Sequence, residues 1–452
     1  HQVGDLHFRR RRRQQAAADL VLLLLLGGEP ALRAMAGQLA TMFENSDADL
    51  YDIAHTLWHR REQHRDGALL FTENKAEAAR LLTAFADEEQ ADPAELAQGK
   101  RLDSPGMPGF IYAGNGCQWE LMGADLLESS TVFAAAVDEV DALFQRHGDF
   151  SLRAELEGKN GSLQDGQSRL VLTEIAQPTL FAVQVGITQL LRHHGIEPGA
   201  VAGHSVGEVA AAWACGALRL EDAVRVIYFR SHYQGKTRGQ GEMTAVALGE
   251  AEVREWLAGD DYPGVHLAGV NSSRGVTLAG APEPLGRLEQ ALTDAGIFAK
   301  RLPLDYAFHS PAMDPIEAGV VDSLSAITPL AERLPYVSTV TGARLAGSEL
   351  GAEYWWHNIR QPVRFDDAIK ALIDDGTRLF IEIGAHPILR RYLSDALRDR
   401  ESEGLVLATL ERDKPGPACL HQIIGQALLS GMPLDHRRWF PVEGRLVELP
   451  RY

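Results

Sequence analysis

Cysteine is scarce in this 452-residue chain: Cys117, Cys215 and Cys419 lie far apart and form no CxxC pair. That spacing excludes a disulfide framework and a thiolate zinc cluster, and it fits a reducing cytoplasm. Long apolar runs are missing too. The most apolar stretch, Leu20 to Leu26, falls far short of the roughly 20 residues a membrane-spanning helix needs. No small-residue cleavage site follows it, so it does not read as a signal peptide. Positive charge is in deficit, with 44 Lys and Arg against 62 Asp and Glu and a net charge of −18. Such a surface repels phosphate backbones, so neither nucleic acid nor membrane is an expected partner. The basic run Arg9 to Arg13 goes against that balance and reads as a solvated linker segment. Internal repeats, low-complexity tracts and clustered metal ligands are lacking, so no metal is expected. The chain starts at His1 rather than Met and is expected to be a piece of a longer polypeptide.

What is present is alternation of strand and helix signals. Residues 1–104 read as a small α/β lobe, with strands at Leu20–Leu26 and Ala68–Thr72 and helices at Ala31–Phe43, Leu50–Arg61 and Lys75–Glu88. Asp103-Ser104-Pro105-Gly106 marks a linker. Short apolar strands at Gly109–Ala113, Ala200–Ala202 and Arg378–Ile383, separated by helical patterns, predict a parallel sheet with helices on its faces over residues 105–405. Within it, residues 241–304 carry the order β-α-β-β-α-β, an inserted ferredoxin-like subdomain. Residues 406–452 read as a further linker containing the aromatic stretch Arg438-Trp439-Phe440-Pro441. The expected fold class is therefore α/β: a hydrolase-like parallel-sheet core, the insert, and a small N-terminal α/β linker domain.

Chemistry concentrates at Gly203-His204-Ser205-Val206-Gly207. A G-x-S-x-G segment between a strand and a helix is a nucleophile elbow: the sharp turn exposes the serine hydroxyl, and the helix N-terminus offers free N–H groups to an oxyanion. A serine needs a base within hydrogen-bond reach, but sixteen histidines leave that base unassigned by composition. Taken alone, Arg230 reads as a surface residue of an amphipathic helix, His309 and His386 as structural histidines, and Glu208 as a first-turn helix-dipole partner.

Six stretches in order carry a resemblance: YAGNGCQW from Tyr112 to Trp119, GHSVGE from Gly203 to Glu208, Arg230-Ser231, YAFHS from Tyr306 to Ser310, Tyr354-Trp355 with NIRQPV from Asn358 to Val363, and EIG from Glu382 to Gly384. Together they resemble the acyltransferase domains of bacterial type I polyketide synthases, over roughly 107–405 and, with both linkers, nearly the whole chain. The resemblance implies a ketosynthase-acyltransferase linker domain at 1–104, an acyltransferase domain at 105–405 and a post-acyltransferase linker at 406–452. It implies transfer of a malonyl unit from malonyl-CoA, through an acyl-serine, to the phosphopantetheine thiol of an acyl carrier protein. No cofactor is then bound in the domain itself. An adjacent ketosynthase in the same polypeptide is the other expected partner. Ser205 is implied as nucleophile and His309 as base. The backbone N–H groups of Asn115, where the family usually has Gln, and of Val206 would form the oxyanion hole. Arg230 would clamp the substrate carboxylate with help from His204, and the Asn358 backbone carbonyl would orient His309. In the family HAFH tracks malonyl and YASH methylmalonyl; Tyr306-Ala307-Phe308-His309 is a hybrid. Phe308 beside the acyl α-carbon would crowd a methyl branch, which favours malonyl-CoA over methylmalonyl-CoA. The Gly-Asn-Gly and YAFH variants point toward an iterative, enediyne-type member. The rival readings are a serine thioesterase or other hydrolase, which has no need of a buried cation, and a non-catalytic scaffold.

Overall fold

A computed structural model describes residues 21–26, 28–60, 65–72, 74–88, 95–433 and 439–450. The Arg9–Arg13 run and Arg438 lie outside them. The chain divides into two compact units. One comprises residues 1–106, 191–197 and 414–452, and the other residues 107–190 and 198–413.

The first unit holds an antiparallel sheet of β1 (Val21–Leu26), β2 (Asp66–Thr72) and β3 (Leu96–Lys100), in that order. Helices Glu29–Asn45, Leu50–Arg60 and Lys75–Ala86 bury Leu32, Leu39, Phe43, Ile53, Leu57, Leu82 and Phe85 in one core. Asn74 caps the third helix by accepting from the Glu77 N–H, which satisfies one of the donors a helix start leaves open. The tail contributes a helix of its own. Helix Gly416–Leu429 belongs to this unit, where Gln426 Nε2 donates to the Gln98 carbonyl at 2.6 Å. Phe440 meets Tyr51 edge-on with ring centroids 5.6 Å apart.

The second unit contains β4 (Gly109–Tyr112), β5 (Ala200–Gly203), β6 (Glu242–Val246), β7 (His266–Ser272), β8 (Gly275–Gly280), β9 (Ala299–Arg301), β10 (Tyr336–Ser338), β11 (Ala343–Arg344), β12 (Val363–Arg364), β13 (Leu379–Ile383) and β14 (Leu405–Ala408). The larger sheet runs β11-β10-β5-β4-β13-β14 and is parallel except at β11. Its central strands are buried throughout, as expected when helices cover both faces of a parallel sheet. The edge strand β14 begins at Leu405 and runs to Ala408, so it straddles the boundary expected after 405.

The smaller sheet runs β12-β7-β8-β6-β9. Within 242–301 the elements follow β-α-β-β-α-β, with antiparallel pairings β7–β8, β8–β6 and β6–β9. Helix Pro282–Asp294 supplies Leu285, Leu288 and Leu292 to its core, spaced at three and four residues. The fifth strand, β12, comes from outside the insert and pairs in parallel with β7.

Register aligns Tyr112 with Gly203 and with Ile383, so β4, β5 and β13 end side by side. Parallel α/β sheets bind ligands at the carboxyl ends of their strands. The loops leaving these three strands hold Asn115, Ser205 and the 384–389 turn.

Candidate active site

The turn after β5 places Ser205 at φ 52°, in the left-handed region that a residue with a Cβ enters only under constraint. The flanking glycines supply that constraint. A Cβ on Gly203 would lie 2.2 Å from the Gly207 carbonyl carbon, and one on Gly207 would lie 2.2 Å from the Tyr112 carbonyl oxygen. Strand, elbow and helix Gly207–Ala214 therefore pack backbone on backbone.

His309 also has a positive φ, 58°. Its Nε2 lies 2.7 Å from Ser205 Oγ and its Nδ1 2.9 Å from the Gln361 carbonyl oxygen. A carbonyl only accepts, so Nδ1 carries the proton and Nε2 faces the serine as an acceptor. The orienting carbonyl belongs to Gln361, which corrects the assignment to Asn358. Asn358 lies inside helix Ala352–Arg360, whereas Gln361 is the first residue past it, with extended backbone (φ −80°, ψ 153°) that frees its carbonyl. Burial pushes the His309 pKa down to about 3, with Arg230 and His204 adding to the shift and the Gln361 hydrogen bond opposing it. The imidazole is thus neutral across the physiological range, with Nε2 open as an acceptor toward Ser205.

Arg230 is 1% exposed, on helix Leu220–Gly235. Its Nη2 donates to Ser205 Oγ at 3.0 Å, its Nε to Asn358 Oδ1 at 3.1 Å, and its Nη1 to Gln177 Oε1 at 2.6 Å and Gln234 Oε1 at 2.8 Å. Every direct partner is neutral. Burial pulls its pKa down to about 9, and Glu208 opposes that shift. A buried cation without a direct counterion is costly, and an arriving carboxylate relieves that cost.

Asn115 follows Gly114, where a Cβ would lie 2.7 Å from the His204 carbonyl oxygen, so this loop presses on the elbow. Among the described residues, the N–H groups of Asn115 and Val206 donate to no backbone or side-chain acceptor, and Asn115 Oδ1 is buried without a partner. His204 Nε2 lies 2.8 Å from Asn271 Oδ1, and the Asn271 amide donates to Thr277. The His204 ring therefore ties the elbow to β7 and β8, and no hydrogen bond joins it to Arg230.

Tyr306 and Phe308 are buried and stacked, with centroids 4.8 Å apart and planes 11° apart. Tyr306 Oη accepts from the Thr173 N–H at 3.4 Å, and Thr173 Oγ1 accepts from Gln177 at 2.7 Å, which links the tyrosine to the arginine's partners. Asp305 faces Arg238 instead of His309. His386 Nδ1 accepts from the Arg412 N–H, a structural contact.

Sequence reasoning missed Gln177, Gln234 and Asn271; Gln177 and Gln234 stand four residues past Thr173 and Arg230 on their helices, a spacing that puts each pair on one face. It also misjudged Glu208. Instead of a surface dipole partner, it is a fully buried carboxyl joined to Thr339, Tyr354 and Asn358, and burial raises its pKa.

A scan against family models matches residues 109–433 to the acyl transferase domain. The chain belongs to the acyl transferase domain family. It is 34% identical over 411 residues to the erythronolide synthase EryA2 of Saccharopolyspora erythraea, covering 90% of this chain and 11% of that protein. Against the spectinabilin polyketide synthase system protein NorA' of Streptomyces orinoci the figures are 36% over 426 residues, 93% and 12%. The chain thus spans about a tenth of the length of these curated relatives. Among solved structures it resembles the acyltransferase domain from module 8 of the salinomycin polyketide synthase, with a TM-score of 0.85 and 32% identity over 93% of this chain and 98% of that one. The acyltransferase domain of ZmaA follows at 0.80 and 27%, covering 96% and 99%. This acyltransferase domain is therefore of the bacterial type I polyketide synthase kind. Among the described residues, no group of three or more His, Cys, Asp and Glu is placed to hold a metal, and no helix is long and apolar enough to cross a membrane. The three cysteines are buried thiols, and none is in a disulfide.

Proposed function

We propose that this acyltransferase carries a malonyl group from malonyl-CoA, through an ester on Ser205, to the phosphopantetheine thiol of an acyl carrier protein. The observation that carries this reading is the buried Arg230 guanidinium, 3.0 Å from Ser205 Oγ and without a direct counterion. A planar guanidinium at that distance from the acylated oxygen suits a carboxylate one carbon beyond the acyl carbonyl. A hydrolase of simple acyl groups gains nothing from a buried cation there.

In the first half-reaction Ser205 Oγ attacks the thioester carbonyl while its proton passes to His309 Nε2. The tetrahedral oxyanion sits against the N–H groups of Val206 and Asn115. Collapse breaks the C–S bond, and the departing CoA sulfur takes the proton from His309. In the second, the carrier thiol gives its proton to His309, its sulfur attacks the seryl ester, and Ser205 leaves and regains the proton. The Gln361 carbonyl holds the imidazole in the required tautomer.

Phe308, stacked on Tyr306, supports malonyl over methylmalonyl, because a phenyl ring in place of a small residue leaves less room for a branch. The strand order of 242–301 supports the ferredoxin-like reading of the insert, and the parallel sheet with its elbow supports a hydrolase-like core. Residues 1–104 and the tail from 406 act as linkers toward a neighbouring ketosynthase, a role supported by the joining of the N-terminal lobe and residues 414–452 in one unit.

Intact-protein mass after mixing with malonyl-, methylmalonyl- and acetyl-CoA separately tests the reading. A malonyl adduct that forms fastest and disappears in Ser205→Ala is expected. A faster methylmalonyl adduct would reverse the extender assignment. Continuous CoA release with no adduct would make the protein a hydrolase.

A further inference from the structure

The mechanism above leaves one buried acidic group unused. Glu208 stands three residues past the nucleophile, on the first turn of helix Gly207–Ala214, and is wholly inaccessible. Four donors converge on its two oxygens. Oε1 accepts from the Thr339 N–H and from Thr339 Oγ1 at 2.7 Å; Oε2 accepts from Tyr354 Oη and from Asn358 Nδ2 at 3.0 Å. The carboxyl has acceptor sites for all four, and the two hydroxyls among them have alternative partners in the Gly203 carbonyl, Ser338 and Tyr336.

Asn358 passes this arrangement on. Its Nδ2 also reaches the Ser205 carbonyl oxygen at 3.2 Å, and its Oδ1 accepts from Arg230 Nε at 3.1 Å. Only one orientation of the amide meets two acceptors on one side and a donor on the other, and Glu208 is the second of those acceptors. The Glu208 carboxyl and the guanidinium are thus joined through one amide. A direct salt bridge would occupy the guanidinium and compete with a substrate carboxylate. The bridged arrangement fixes its Nε edge and leaves Nη2 facing Ser205.

We infer that Glu208 is a positioning residue for carboxylate selection, acting through Asn358 to aim Arg230 at the acyl group on Ser205. The inference rests on the proposed role of Arg230 and extends it to a residue that touches no substrate.

Glu208→Gln tests it. The amide must turn its NH2 toward either Thr339 or Asn358, and in the second case Asn358 has to flip and present Nδ2 to Arg230 Nε. The ratio of malonyl to acetyl acylation rates, read by intact mass, should fall about tenfold, chiefly through KM for malonyl-CoA. In an Arg230→Ala background the same substitution should change that ratio by less than about twofold, because the two residues act in series. Labelling of Ser205 by an uncharged fluorophosphonate reports whether the Ser205–His309 pair is still assembled. Where Glu208→Gln does not fold, Asn358→Ala removes the bridge and should lower the ratio in the same direction.

Loss of malonyl transfer, acetyl transfer and labelling in equal proportion would mean a merely structural Glu208 and would overturn the inference. An unchanged ratio in Glu208→Gln or in Asn358→Ala would also overturn it, as would full additivity with Arg230→Ala. A wild-type enzyme that takes acetyl as readily as malonyl would instead overturn the assignment of Arg230, and this inference with it.

Discussion

Replacing Arg230 with alanine separates a substrate clamp from a structural arginine. Of its five N–H groups, one donates to Asn358, two to the glutamines at 177 and 234, and one to Ser205 Oγ. One Nη2 hydrogen is left, and the one on Ser205 becomes available when Oγ is esterified. A malonyl carboxylate therefore gains one or two charge-assisted bonds, each contributing about 1.5–3 kcal/mol in a site closed to water. Taking about 3 kcal/mol in total, Arg230→Ala should slow malonyl acylation of Ser205 about 100-fold. Acetyl-CoA gains nothing from the cation, so its rate should change far less and the preference should collapse. The substitution also strands the buried oxygens of Gln177 and Asn358, at about 1–3 kcal/mol of stability for each one left dry, while Gln234 Oε1 keeps the Gln177 Nε2 donor. A urea melt measured alongside keeps that effect separate from selectivity. Stopped-flow acylation with both donors reads the result. An equal fall for malonyl and acetyl would refute the clamp and leave Arg230 as packing.

The pH profile follows from two shifted groups. His309 works as the neutral base, so its activity is lost only as pH falls toward about 3, and Arg230 works as a cation, so its contribution is lost as pH rises through about 9. Malonyl acylation should therefore be flat between about pH 5 and 8, and an acid limb near the ordinary histidine value of about 6.5 would contradict the buried base. Phe308→Ser opens space beside Tyr306 and should raise the methylmalonyl-to-malonyl ratio about tenfold, at about 3 kcal/mol of stability; an unchanged ratio in competition assays would remove Phe308 from substrate choice. Gly207→Ala drives a methyl into the Tyr112 carbonyl and should destabilise by about 3 kcal/mol or more. By contrast Gly37→Ala, inside helix Glu29–Asn45 with only Ala86 Cβ at 3.7 Å, should stabilise by about 0.5–1 kcal/mol. Denaturant titration of both variants checks the pair.

The elbow was legible because its constraints are local. A strand, two glycines around a serine and a helix start lie within a dozen residues; Gly203 is required by the helix start of the same segment, although Gly207 is required by the Tyr112 backbone of β4. The insert was legible for a similar reason, since period-two and period-3.6 patterns alternate over short distances from Glu242 to Arg301. Strand β3 was missed because only Leu96 and Ala97 are buried along it. Helix Gly416–Leu429 was read as linker because its apolar stripe has meaning only against a sheet more than 300 residues earlier in the chain.

Polar residues were hardest to place, for one physical reason. Whether a polar side chain is exposed or buried depends on partners that its own neighbourhood does not specify. Glu208 sits where a first-turn carboxylate normally meets water, yet Thr339 and Tyr354, more than 130 positions away, enclose it. The choice between Asn358 and Gln361 as orienter turned on where one helix ends, a boundary that sequence patterns locate only to within a residue or two. Once the ends of β4, β5 and β13 are brought together, these ambiguities resolve jointly. Arg230 needs neutral acceptors, Asn358 needs an acceptor behind it, and Glu208 needs four donors, and each requirement is met by the residue that carries the next. A network closed in this way resists single substitutions that reverse donor and acceptor, even isosteric ones. Glu208→Gln is such a reversal, and the same logic makes Asn358→Asp, which would set two carboxylates face to face, the harsher change at the neighbouring position.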